Sequence, residues 1–153
     1  VMAHIRKQIR DAAVVLLTGL ATTGANVFAA RDTSTYALAE GELPALVVEV
    51  INERSTQIGV GGGLAAPTLC DAELRVRIIA KSVTGYADTI DAAAVEVQSA
   101  LADAGRVGGV SITAYVGTDG PFVDSSTDRP VASAEVTFML RYVYAANDPE
   151  TVL

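Results

Sequence analysis

From His4 to about Ala21, apolar residues return every three or four positions: Ile5, Ile9, Ala12, Leu16 and Leu20, with Ala13 and Val14 widening the stripe. That period predicts an amphipathic helix, and Thr22, Thr23 and Gly24 stop it. A short strand is expected over Asn26 to Ala30, then a polar turn region from Arg31 to Thr35. Leu43-Pro44 leads into Ala45 to Ile51, apolar throughout except for Glu49 and so expected to be a strand buried on both faces or central in a sheet. The cleanest alternation runs from Cys70 to Lys81. Cys70, Ala72, Leu74, Val76, Ile78 and Ala80 point one way, and Asp71, Glu73, Arg75, Arg77, Ile79 and Lys81 the other. The period then returns to helical from Tyr86 to Ala104, with Ile90, Ala93, Ala94, Val97 and Leu101 on one stripe, and Gly105, Gly108 and Gly109 end it. Strands over Val110 to Val116 and Val131 to Ala145 complete the pattern.

Alternating strands with one wet face favour antiparallel pairing. The expectation is an α+β fold, a mostly antiparallel (mixed) sheet of about five strands with two helices packed on one face. Residues 1–153 read as a single domain with long loops at 53–69 and 117–130. Loops of that length are uncommon in small domains and are often binding elements.

Composition narrows the function more than the fold. Half of the 153 residues are hydrophobic, and 11 basic against 18 acidic side chains give a net charge of −7. The longest apolar run, Ala12 to Leu17, is far short of the roughly 20 residues a membrane helix needs, so no membrane span is expected, and the same segment makes a poor signal peptide. The acidic balance argues against a general grip on nucleic acid. A lone Cys70 allows neither an internal disulfide nor a Cys-based metal site and is expected to be a small buried hydrophobe in a reducing compartment.

The chemical motifs fail on spacing. Gly59-Val60-Gly61-Gly62-Gly63 is followed by Leu64-Ala65 where a phosphate loop needs Lys and Ser or Thr. Asp119, Asp124 and Asp128 lack the alternation and closing Glu of an EF-hand. His4 is the only imidazole, with no neighbouring Ser or Cys nucleophile, and Glu40 and Glu42 read as a solvated pair. No catalytic residue, metal ligand or cofactor site is assigned, and the chain is expected not to be an enzyme.

Charges on otherwise apolar elements are more informative. Arg6, Lys7 and Arg10 crowd the first turns of the first helix, where the macrodipole disfavours cations. Glu73, Arg75, Arg77, Lys81, Glu135 and Arg141 put both signs on the sheet face away from the helices. Solvation explains such a face. So does pairing with a second copy of the chain, which uses both signs at once. These nine residues are the candidate subunit or partner interface, and Gly59, Gly61, Gly62 and Gly63 the candidate docking loop.

The run from Ile5-Arg6-Lys7-Gln8-Ile9-Arg10-Asp11-Ala12 through Leu17-Thr18-Gly19-Leu20-Ala21-Thr22-Thr23-Gly24-Ala25-Asn26-Val27-Phe28 resembles the start of tail terminator proteins of long-tailed bacteriophages, also called minor tail or tail-completion proteins. Leu43 to Val48, Ala72 to Val76, the Asp88-to-Leu101 helix and the closing Phe138 to Tyr144 are similar as well. The resemblance spans nearly the whole chain and lies in element order and wording, with no invariant chemical motif; the Gly59 to Gly63 loop has no match in it. It implies a non-enzymatic virion protein, assembled in the bacterial host cytoplasm, that forms a structural ring, usually hexameric, at the head-tail junction. Such a ring caps the tail tube, stops its polymerisation and meets head-completion proteins, while DNA passes through its lumen without specific binding. The competing readings are a tail tube or head-tail connector subunit, and a small ligand-binding or regulatory domain.

Overall fold

A computed structural model describes residues 4–29, 39–58, 63–126 and 130–153. Helix α1 (Ile5–Leu17) buries Ile5, Ile9, Ala13 and Leu17, one residue per turn on one stripe. His4 caps it: its Nδ1 accepts the Arg6 N–H at 3.1 Å. The helix ends four residues before the predicted Ala21, because Thr18 turns extended and Gly19 takes φ +92°. Helix α2 (Tyr86–Ala104) buries Ile90, Ala93, Val97 and Leu101, and closes on Gly105 in the left-handed region.

Six strands form one sheet: β1 (Val27–Ala29), β2 (Ala45–Gln57), β3 (Pro67–Lys81), β4 (Arg106–Val107), β5 (Val110–Asp124) and β6 (Val131–Ala145). Their spatial order is β1-β2-β3-β6-β5-β4, with β1 parallel to β2 and every other pair antiparallel. The sheet is therefore mixed, with one strand more than expected. The extra strand is β4, two residues long and too short to carry a period.

The β3–β6 ladder runs without a register break from Pro67↔Ala145 to Lys81↔Val131. It sets the two faces of the sheet. On one, Leu74, Val76, Ile78, Val136, Phe138 and Leu140 pack with both helices into the main core. On the other, a small cluster of Ala45, Val47 and Ile79 is joined by Phe28, Leu43 and Val131, so this part of β2 is buried on both sides as its apolar run implied. Cys70 is a free thiol, fully buried in the main core.

Two segments read as loops are in good part strand. Across 53–69, β2 continues to Gln57 and β3 starts at Pro67, with Ser55 opposite Cys70. A bulge between Ile51 and Arg54, where Asn52 adopts φ +52°, breaks the period-two pattern there and hides the strand from the sequence. Across 117–130, β5 runs on to Asp124 through three register shifts against β6. Each shift changes the phase of the alternation, so polar and apolar positions no longer mark the faces. The Arg31 to Thr35 turn region lies outside the described residues.

Gly120 sits where β5 presses on β6. A Cβ there would lie 2.9 Å from the Ser133 carbonyl oxygen and 3.0 Å from Ala134 Cα, and φ is +116°. Gly120→Ala should therefore destabilise the fold by about 1–3 kcal/mol. Phe138→Ala, which empties a fully buried position, should cost about 3–5 kcal/mol. Urea midpoints at constant m-value check both, and a Gly120→Ala midpoint equal to wild type would contradict the close approach.

Candidate assembly surfaces

The helix-free face carries the charges that the alternation placed there, and they meet one another. Arg77 is opposite Glu135 on the β3–β6 ladder, and its Nη2 donates to Glu135 Oε1 at 2.9 Å. Arg75 Nε lies 3.5 Å from the other carboxylate oxygen, near enough for Coulomb attraction, though it makes no hydrogen bond. One carboxylate thus serves two half-buried guanidiniums. Arg141 and Asp71 form a second cross-strand pair, a two-pronged contact at 2.7 and 3.2 Å. It holds the Asp71 carboxyl below its ordinary range, chiefly through that hydrogen bond. Glu73 accepts from Asn52 Nδ2 at 2.6 Å, and Lys81 ends the same strand opposite Val131.

The cations of α1 are drawn onto the sheet and its own side chains. Arg6 donates through Nη2 to the Val50 carbonyl at 2.7 Å and lies 3.5 Å from Glu53, while Lys7 pairs with Asp11 one turn on. Those acceptors offset the unfavourable macrodipole. Arg10 lines a hollow of about 320 Å³ with His4, Arg6, Lys7 and Val50, and its Nε is buried without a partner.

The remaining candidates separate. Of the docking loop, Gly59, Gly61 and Gly62 lie outside the described residues. Gly63 takes φ +110° and accepts from Ala66 N at 3.1 Å. Asp119 and Asp124 are both on β5, the latter tied to Ser126, whose hydroxyl and N–H hold its carboxyl below the usual range. Asp128 lies outside the described residues. Among the described residues no group of three or more His, Cys, Asp or Glu could hold a metal ion, and no helix is long and apolar enough to cross a membrane.

What sequence reasoning missed is the outer edge of β5. β4 pairs only with Val110 and Ser111, and the Ile112 N–H is taken by Gly105. From Thr113 to Asp124 no described strand lies on that side, and the segment exposes Tyr115 at 43%, Val116 at 55%, Phe122 at 58% and Val123 at 47%. A long, bare, apolar edge is a template for another chain unless something covers it. The signal was present as Tyr115-Val116, an apolar pair closing the expected Val110 to Val116 strand, and Phe122-Val123, an apolar pair inside the segment read as a long loop.

Glu135→Ala should destabilise the chain by about 1–3 kcal/mol, because it removes the carboxylate that two half-buried guanidiniums share. Asp71→Asn, at an exposed pair, should cost less at neutral pH. Its effect should be pH-dependent: a carboxyl lowered on folding stabilises fully above its unfolded value of about 4 and loses that contribution as pH falls through the folded one. Urea titrations from pH 7 to pH 3 should therefore show wild type and Asp71→Asn converging in acid, and parallel curves would remove the Arg141 contact from the account.

No protein-family model matches the chain, and no curated protein matches it. Among solved structures it is similar to a chain of the virion of a native gene transfer agent particle, with 19% identity, a TM-score of 0.46 and 90% of each chain covered.

Proposed function

We propose that the protein is a structural virion subunit that works by assembly with copies of itself, forming a discrete ring at the end of a tail tube, as the resemblance to tail terminators implies. The observation that carries the assembly part is the bare β5 edge with its four exposed apolar side chains. An isolated subunit gains nothing from that surface. In an assembly the edge supplies main-chain hydrogen bonds and apolar burial together.

On this reading the ring stops tube growth and offers one face to head-completion proteins, with DNA sliding through the opening. The internally paired charges of Arg75, Arg77 and Glu135 suit such a role, since each basic group engaged by a carboxylate is one fewer free to hold a phosphate. The protein acts by shape, not by catalysis.

Light scattering and negative-stain microscopy of the purified chain test this. Discrete rings are expected. Long tubes would reassign it to a tube subunit, and a monomer at every concentration, stabilised saturably by a nucleotide or amino acid, would move it to the ligand-binding class.

A further inference from the structure

We propose that the bare edge of β5 pairs with the outer edge of β2 in a second copy of this chain, antiparallel and head to tail, with Asp119 of one copy meeting Arg54 of the next. The inference rests on the assembly reading above and names the surfaces that would carry it.

Among the described residues the sheet has a second uncovered edge. β1 covers β2 only from Leu46 to Val48, and Arg6 occupies the Val50 carbonyl. Beyond the bulge, Arg54 to Gln57 face outward with no described strand beside them. The two bare edges thus lie on opposite sides of the sheet. They also run in opposite directions, because β2, β3, β6 and β5 alternate. Placing β5 beside the β2 of a next copy continues the antiparallel order without a break.

Charge selects this pairing over its competitor, β5 against β5. Between Val110 and Asp124 the strand carries Asp119 and Asp124 and no cation, so two copies of β5 would bring acid to acid. Arg54 and Asp119 are both exposed, and among the described residues no ion pair engages either of them. They also share a sheet face: Arg54 stands opposite Asp71 and Asp119 opposite Glu135, both on the helix-free side. The ladder is bounded as well. Pro121, with no N–H, ends it on β5, and the Asn52 bulge ends it on β2. At its other end Tyr115 comes beside the end of β2, where Ile58 is 39% exposed.

The stagger fits a closed ring. Asp119 is level with Glu135, Arg77 and Val47, while Arg54 is level with Asp71, six rungs from Arg77 along β3. Six rungs are about 20 Å along the strands, and the four strand spacings from one β2 to the next are about 19 Å across. Joining Asp119 to Arg54 therefore slants the strands by about 45°, at the top of the roughly 35–45° range of closed barrels. The two surfaces differ, so the contact is heterologous and closes into a ring when the rotation allows.

The test uses the full chain with Arg54→Asp, Asp119→Arg and the double swap, each first shown by circular dichroism and thermal melting to be folded. Each single reversal should weaken self-association about tenfold or more in sedimentation velocity, and the double swap should restore it. Arg54→Cys with Asp119→Cys in one chain should give a ladder of disulfide-linked multimers under mild oxidation. A mixture of the two single-cysteine chains should give their cross-linked dimer and nothing larger. Single reversals that assemble like wild type, with no ladder, would overturn this interface and leave the assembly reading standing. A wild-type chain that never self-associates would instead overturn the assembly reading, and the interface with it.

Discussion

Fifteen consecutive cross-strand pairs between β3 and β6, with no bulge among them, hold the rest of the molecule in place. Because side chains alternate strictly along both strands, one slipped residue would turn Leu74, Val76, Phe138 and Leu140 outward and bring Arg75, Arg77 and Glu135 into the core. The cost of that exchange, apolar surface returned to water and charge buried without solvent, fixes the register. Both helices then have a defined floor. The stripes of α1 and α2 fit it because the core side chains already stand in rows.

Outward from that ladder the constraint weakens on each side. β2 keeps phase through Ile51 and then bulges, so its last residues present mostly polar side chains. β5 follows β6 with three shifts, each adding local twist. Where its register has slipped, Tyr115 still lies against Phe138, their ring centres 5.4 Å apart, yet it remains partly open to solvent because no described strand follows on the outer side. The exposed apolar residues of β5 thus belong to a strand whose one neighbour is fixed and which, beyond Ile112, has no other among the described residues.

The same gradient explains what could be read from sequence. Where the period is unbroken, as over Val131 to Ala145 and Tyr86 to Ala104, residue order alone gives the observed limits. The faces of β3 and the burial of Cys70 follow from the same alternation. The distal halves of β2 and β5 escaped because bulges reset the phase and because Gly117, Gly120 and Pro121 carry turn chemistry within a strand. The strand is held by backbone pairing with β6 on either side of Gly120-Pro121, from Gly117 to Asp119 and from Phe122 to Asp124, an interaction that side-chain type does not encode. The charged face was found where expected, but its internal pairing depends on register, which a list of residues cannot supply.

Internal pairing also decides which surface can drive association. Glu135 has its two arginines, and Asp71 has Arg141. Bringing a second copy against them would require stripping water from groups that already have partners, with little new to form. The edge of β5 is in the reverse condition, since no described strand pairs with its outward backbone groups beyond Ser111 and its apolar side chains gain by burial. The net charge of −7 sharpens the difference. Copies of an acidic chain repel at long range, so an attraction must be short-ranged and directional to bring them together. On the proposed assembly, a strand edge that offers main-chain hydrogen bonds in a fixed direction, with Asp119 near one end of the ladder and Arg54 across the sheet both without an ion pair among the described residues, meets that requirement better than a face whose charges already pair with each other.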